Sequence, residues 1–154
     1  MHQHDRALLL SVRPQFASSI LDGTKTAEIR RQRPAVDPGT LVIIYATKPI
    51  GAIVGTARIS GISHGDPAEM WEQHQARTGI TRAEFDVYLC GAETAYVLML
   101  ENVQQLEPLL TLEQIRAITK FQPPQSYRYL NQHTLRNLVD HHPASDSLLT
   151  MLQT

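Results

Sequence analysis

The stretch GTKTAEIRR, residues 23–31, crowds Lys25, Glu28 and Arg30 together, with Arg31 directly after them. An ammonium and a guanidinium of this kind can grip a phosphate or steady negative charge developing on an oxygen. A carboxylate beside them can accept from the exocyclic amine of a base, or share acid/base work with the lysine. If Lys25 and Glu28 occupy one pocket, each favours the charged form of the other. Electrostatic roles therefore suit them best: Lys25 for a phosphate or carbonyl oxygen, Glu28 for an amino or N–H edge, and Arg30 to hold Glu28 or meet a phosphate. In an enzyme, Lys25 and Glu28 would be the catalytic pair. The competing readings are a solvated turn and a surface ion pair worth about 0–1 kcal/mol.

Other candidates surround this stretch. Arg13 sits at a strand-to-helix junction, where an anion could also meet helix N–H groups, and Arg31 and Arg33 add charge. Thr47 and Lys48 occupy a turn after an apolar run. In SYRYL (126–130), Tyr127 and Tyr129 flank Arg128 and either stack on a base or pack against the core. The seven histidines are scattered and Cys90 is the single cysteine, so no metal-ligand spacing emerges. No phosphate-cradling glycine loop, serine elbow or zinc-hydrolase helix is present. Neither metal nor cofactor is expected.

Local signals place these residues on elements. Residues 7–12 read as a buried strand. Pro14 opens a helix whose Phe16, Ala17, Ile20 and Leu21 share a face, and Gly23 ends it. Alternation over 26–30 predicts a half-buried strand with Ala27 and Ile29 on one side, Glu28 and Arg30 on the other. Strands follow at 41–46 and 52–62, the latter with glycine bends at Gly55 and Gly61. Asp66-Pro67-Ala68-Glu69 and Thr81-Arg82-Ala83-Glu84 start two helices, with Trp71 in the core of the first. A strand at 94–103, a helix capped at Thr111, irregular chain through the prolines at 123 and 124, and a helix from about 131 with a polar tail complete the chain. The order β-α-β-β-β, two helices, β, helix predicts an α+β fold, a small mixed barrel with helices packed at its ends.

At 154 residues, 42% hydrophobic and 19% charged, the chain has the composition of one soluble domain. One cysteine points to a reducing compartment, and no apolar run approaches the roughly 20 residues of a membrane span, so a cytoplasmic location is expected. A net charge of -1 excludes a general nucleic-acid coat, but the balance runs +4 over residues 1–60, -7 over 61–113 and +2 over 114–154. A localised cationic site beside an acidic flank fits that distribution, and the acidic middle helices, with Glu69 and Glu72, offer a docking face for a protein partner.

SVRPQFASSILDGTKTAEIRR resembles the opening of ASCH domains, members of the PUA-like superfamily, whose G-x-K-x-x-E-x-R pattern falls on Gly23, Lys25, Glu28 and Arg30. VIIYATKPIGAIVGTARI, the helix pair with its following strand, and PPQSYRYL are similar to later family elements, so the likeness covers roughly residues 7–130. The resemblance implies a flexible start at 1–6, a PUA-like β-barrel domain over 7–130 and a C-terminal helical extension over 131–154. It implies a cleft lined by the motif residues and a role in RNA metabolism or regulation, with RNA, a nucleotide or a nucleoside as partner. Some members hydrolyse acetylated cytidine with a threonine three positions after the lysine, where this chain has Glu28. Another is described as a ribonuclease resting on a Tyr, a Lys and a Ser, for which Tyr45, Lys48 and Ser126 are the counterparts here. The expected site is Arg13, Lys25, Glu28 and Arg30 facing Tyr45, Thr47, Lys48, Ser126, Tyr127 and Arg128, either binding its ligand or acting as a nucleoside or RNA hydrolase.

Overall fold

The structure, a computed structural model, describes residues 6–153. The expectations for the first five residues, with His2 and His4, lie outside the described part. Six strands form one mixed sheet in the order β2-β5-β4-β3-β1-β6. They are β1 (Arg6–Val12), β2 (Ala27–Arg30), β3 (Leu41–Ala46), β4 (Ala52–Gly65), β5 (Ala95–Thr111) and β6 (Tyr127–Asn131). Only the β1–β3 pair is parallel, which the connection through helix α1 (Pro14–Asp22) and β2 allows. The remaining helices are α2 (Pro67–Thr78), α3 (Arg82–Tyr88), α4 (Leu112–Arg116), α5 (Gln132–Val139) and α6 (Ser145–Gln153).

Strand alternation sorts the apolar residues onto two faces. Ala7, Leu9, Leu41, Ile43 and Tyr45 pack with α4, α5 and α6 residues on one side. Leu8, Leu10, Val42 and Ile44 pack with Ala17 and Ile20 of α1 on the other. A third cluster joins Ala27 and Ile29 of β2 to Met70 of α2, Phe85 of α3 and Val97 of β5. The helix starts follow their caps: Asp66 accepts from Ala68 N, and Thr81–Glu84 and Thr111–Gln114 form reciprocal capping boxes.

Four expectations need correction. The first concerns strand length, because β4 continues to Gly65 and β5 to Thr111. Each partners the other along this length, through three register shifts that bend the hairpin, and the exposed stretches of β5 lack the apolar alternation that marks a strand in sequence. At one bend a Cβ on Gly55 would lie 2.5 Å from the Gln104 carbonyl oxygen, so the close crossing requires glycine. The second is that residues 127–131, within and just after a stretch read only as unable to form regular helix, form β6 antiparallel to β1. The third is that the polar tail is helix α6, with Leu148 and Leu152 buried in the first cluster. The C-terminal extension thus shares the core of the sheet. Finally, the sheet does not close into a barrel, because edge strands β2 and β6 form no ladder with each other. Four-residue β2 ends at Arg30, and the gap is spanned by that side chain instead of by backbone.

Two predictions test this architecture. Leu148→Ala should destabilise the protein by about 2–5 kcal/mol in urea unfolding; a change below about 0.5 kcal/mol would mean α6 is not part of the core. His74 of α2 is buried with both ring nitrogens lacking a hydrogen-bond partner among the described residues. Burial, and then the nearby Arg77 charge, hold its pKa below the usual histidine value. The unfolded chain therefore binds a proton first as pH falls, so stability drops on acidification below about pH 6.5. In His74→Leu that part of the pH dependence should vanish, measured as urea midpoints between pH 5 and 8.

Candidate functional site

The helix-ending turn delivers Lys25 and the alternation of β2 delivers Glu28 and Arg30 to one face, opposite Ala27 and Ile29. Gly23 adopts φ 86° and its N–H closes the helix on Ile20 O, after which Lys25 N bonds to Ser19 O. This reversal carries Lys25 under the end of α2. Its Nζ donates to the Thr78 carbonyl and lies 3.3 Å from Glu28 Oε1. Glu28 Oε2 accepts from Arg30 Nη2 at 2.6 Å. Arg30 also donates from Nη2 to Ser11 O and from Nη1 to the Ser126 hydroxyl oxygen at 3.0 Å. All three charged residues are buried, at 2%, 7% and 6% exposure, which excludes the solvated turn and the surface pair.

Gly79 makes this approach possible. It ends α2 at φ 65°, where the left-handed region favours glycine, and a Cβ there would stand 3.1 Å from Lys25 Cβ. A glycine after a helix is ordinarily read only as a stop signal, so the partner of Lys25 was not legible in sequence.

Hydrogen-bond capacity defines what each group can do next. Both Glu28 oxygens face a cation, so its first task is to hold Lys25 and Arg30 together. Arg30 uses four of its five N–H groups when the weaker contact to Ser126 O is included, and its Nε has no partner among the described residues. Lys25 has one hydrogen left after Thr78 and Glu28. The Ser126 oxygen already accepts from Arg30, which leaves its own proton to donate. Two cations against one carboxylate give the group a net positive charge.

These residues form one side of a cleft of about 950 Å³. Arg13 and Arg31 stand at its rim, Thr47 and Gln125 close one end, and Ile80, Val87 and Tyr88 supply an apolar wall. The structure thus gathers Arg13, Lys25, Glu28, Arg30, Thr47 and Ser126 of the expected set. Tyr45, Lys48, Tyr127 and Arg128 lie outside the lining. Tyr45 points to the first core cluster, where burial raises its hydroxyl pKa against the lowering effect of Arg116. Its hydroxyl approaches Gly51 beside the stem of exposed Lys48. Tyr127 and Tyr129 pack edge-to-face at 5.8 Å against the second cluster, with the Tyr127 hydroxyl pKa raised by burial and then by Tyr129. Arg128 donates to Gln122 O and lies over the Phe121 ring, steadying the segment that carries Ser126. Arg33 is exposed and Glu69 and Glu72 are exposed on α2. Among the described residues, no group of three His, Cys, Asp or Glu side chains could hold a metal ion, and no helix is long and apolar enough to cross a membrane. Phe16 and the α3 wall were not picked as site residues, since apolar side chains at helical spacing look like core.

Comparison with known proteins places the chain among ASCH domains. A family model described as the ASCH domain matches residues 10–122. The ASCH domain-containing ribonuclease of Zymomonas mobilis is 32% identical over 132 residues, covering 85% of this chain and 88% of its own length. The crystal structure of ASCH from Zymomonas mobilis covers 90% of this chain and 96% of its own at 30% identity, with a TM-score of 0.81. A serine-to-alanine variant of that protein superposes over 91% of this chain and 98% of its own at 28% identity, with a TM-score of 0.82.

Glu28 is the shared partner of two buried cations, so its loss is worse than the loss of either one. Glu28→Ala should cost about 3–5 kcal/mol in urea unfolding, the penalty for leaving buried charge uncompensated, and Lys25→Met should cost less. The opposite order, or a Glu28→Ala cost under about 1 kcal/mol, would refute this organisation.

Proposed function

The chain belongs to the ASCH domain family, and from that premise we propose that it binds RNA in the cleft and cleaves it there. The observation that carries this reading is the chain of contacts Lys25–Glu28–Arg30–Ser126, a net positive group with a free hydroxyl proton in the cleft lining. Its likeness to a protein named a ribonuclease, over most of both chains, supports the same reading. The cytoplasmic location and the absence of a cofactor requirement belong to the proposal too.

The roles follow from the capacity each group has left. Arg13, exposed at the rim, meets a phosphate of the incoming strand. Ser126 donates to a non-bridging oxygen of the scissile phosphate, and the remaining Lys25 hydrogen adds to the positive field where negative charge builds up. Arg30 and Glu28 position these donors. Hydrolysis of an acylated nucleoside is less well supported. The position at which that chemistry uses a threonine hydroxyl is Glu28, whose two oxygens are already committed to cations.

The purified protein should bind a short labelled RNA in fluorescence anisotropy with a shallow salt dependence, because few phosphates are neutralised. Gel analysis should reveal shortened products. Ser126→Ala and Arg13→Ala, both at exposed positions, should fold normally and lower the cleavage rate by about tenfold or more. Binding without product would restrict the protein to an RNA reader. Product from an acylated cytidine but not from RNA would replace the reading with the nucleoside hydrolase.

A further inference from the structure

The two walls of the cleft differ in chemistry. Arg13, Lys25 and Arg30 come from the β1–α1 junction, the turn after α1 and β2, whereas the α3 residues that line it are Ala83, Glu84, Val87 and Tyr88, with one acid and no base. Val87 and Tyr88 are 78% and 42% exposed, although α3 already buries Phe85, and its C-cap Leu89, in the third cluster. Ala83 with Val87, and Glu84 with Tyr88, are four apart and share the cleft-facing side of the helix. Ile80 just before the helix, and Phe16 of α1, extend the apolar surface.

We propose that this α3 wall is a nucleobase subsite: an unstacked base lies on Val87, Tyr88 and Ile80, with Phe16 completing the pocket and the adjoining phosphate turned toward Arg13 and Ser126. The proposal rests on the RNA reading and adds where the base goes. Charge sets the direction of the strand's two parts. A phosphate is drawn to the cationic wall and repelled by Glu84, and a neutral base is not. Glu84 is ionised at neutral pH like any ordinary glutamate, and hydrogen bonds from Thr81, with smaller help from the Arg13 and Lys25 charges, favour that form further. The shelf is also held in place. Arg31, directly after β2, donates to the Tyr88 and Cys90 carbonyls at the end of α3, tying the apolar wall to the strand that carries the cations. A base entering therefore meets a surface whose spacing from the phosphate site is already set.

Anisotropy with two strands of equal length tests this, one an ordinary single-stranded RNA and the other the same sugar-phosphate backbone without bases. Wild type should bind the ordinary strand about tenfold more tightly, as expected for one stacked base. In the double variant Val87→Ser/Tyr88→Ala the advantage should disappear, while affinity for the base-free strand and the slope of affinity against salt stay unchanged. Arg13→Ala should instead weaken both strands alike. Equal wild-type affinity for the two strands, or a double variant that still prefers bases, would overturn the subsite and leave the RNA reading standing. No binding of either strand would overturn both. Thermal unfolding of each variant checks that these surface changes leave the fold intact.

Discussion

One buried carboxylate between two cations organises this molecule. Glu28 pairs with Lys25 on one side and Arg30 on the other, and each cation reaches a different part of the fold. Lys25 anchors the end of α2 through the Thr78 carbonyl. Arg30 gathers the end of β1 through Ser11 and the start of β6 through Ser126. Charges taken from water in this way are tolerated only when their hydrogen bonds are nearly complete, and the backbone carbonyls at 11 and 78 supply what the carboxylate alone cannot.

The same network explains how an open sheet can behave as a nearly closed one. The long β4–β5 pair is bent at its register shifts, while β2 and β6 remain the two unpaired edges of the sheet. A guanidinium has the length and the fork of donors to bridge two backbones that are not in register. The cleft lies beside this bridge, with Ser11, Arg30 and Ser126 in its lining. Architecture and site are thus two consequences of one arginine.

The cleft's function depends on where charge remains after the internal bonds are made. Arg30 and Glu28 are largely used up in holding the structure, so on the proposed reading contact with a ligand falls to the exposed Arg13 and Ser126, with buried Lys25 adding its charge from behind. The apolar α3 wall opposite has no such duty, and its exposed side chains remain free to meet a flat, uncharged group. On the proposed reading, this division would separate the binding of a phosphate from that of its base within one cavity.

Much of this was legible in residue order. The 3.6-residue and two-residue periodicities gave α1 and β2, the capping boxes gave the starts of α3 and α4, and alternation put Glu28 and Arg30 on a common face, because these signals act over a few residues. What sequence could not give are facts about chain segments far apart. Nothing near Lys25 says that its ammonium will meet Thr78, or that Arg30 will reach Ser126 nearly a hundred residues later. Tyr45 and Ser126 belong to the same resemblance, yet they part company because strand pleating turns Tyr45 to the opposite face. Leu148 and Leu152 look like a tail until the sheet gives them a surface to cover. Local sequence determined which elements form and which way their side chains alternate. The tertiary fold alone decided which charges are buried together, since burial depends on what the rest of the chain brings against them.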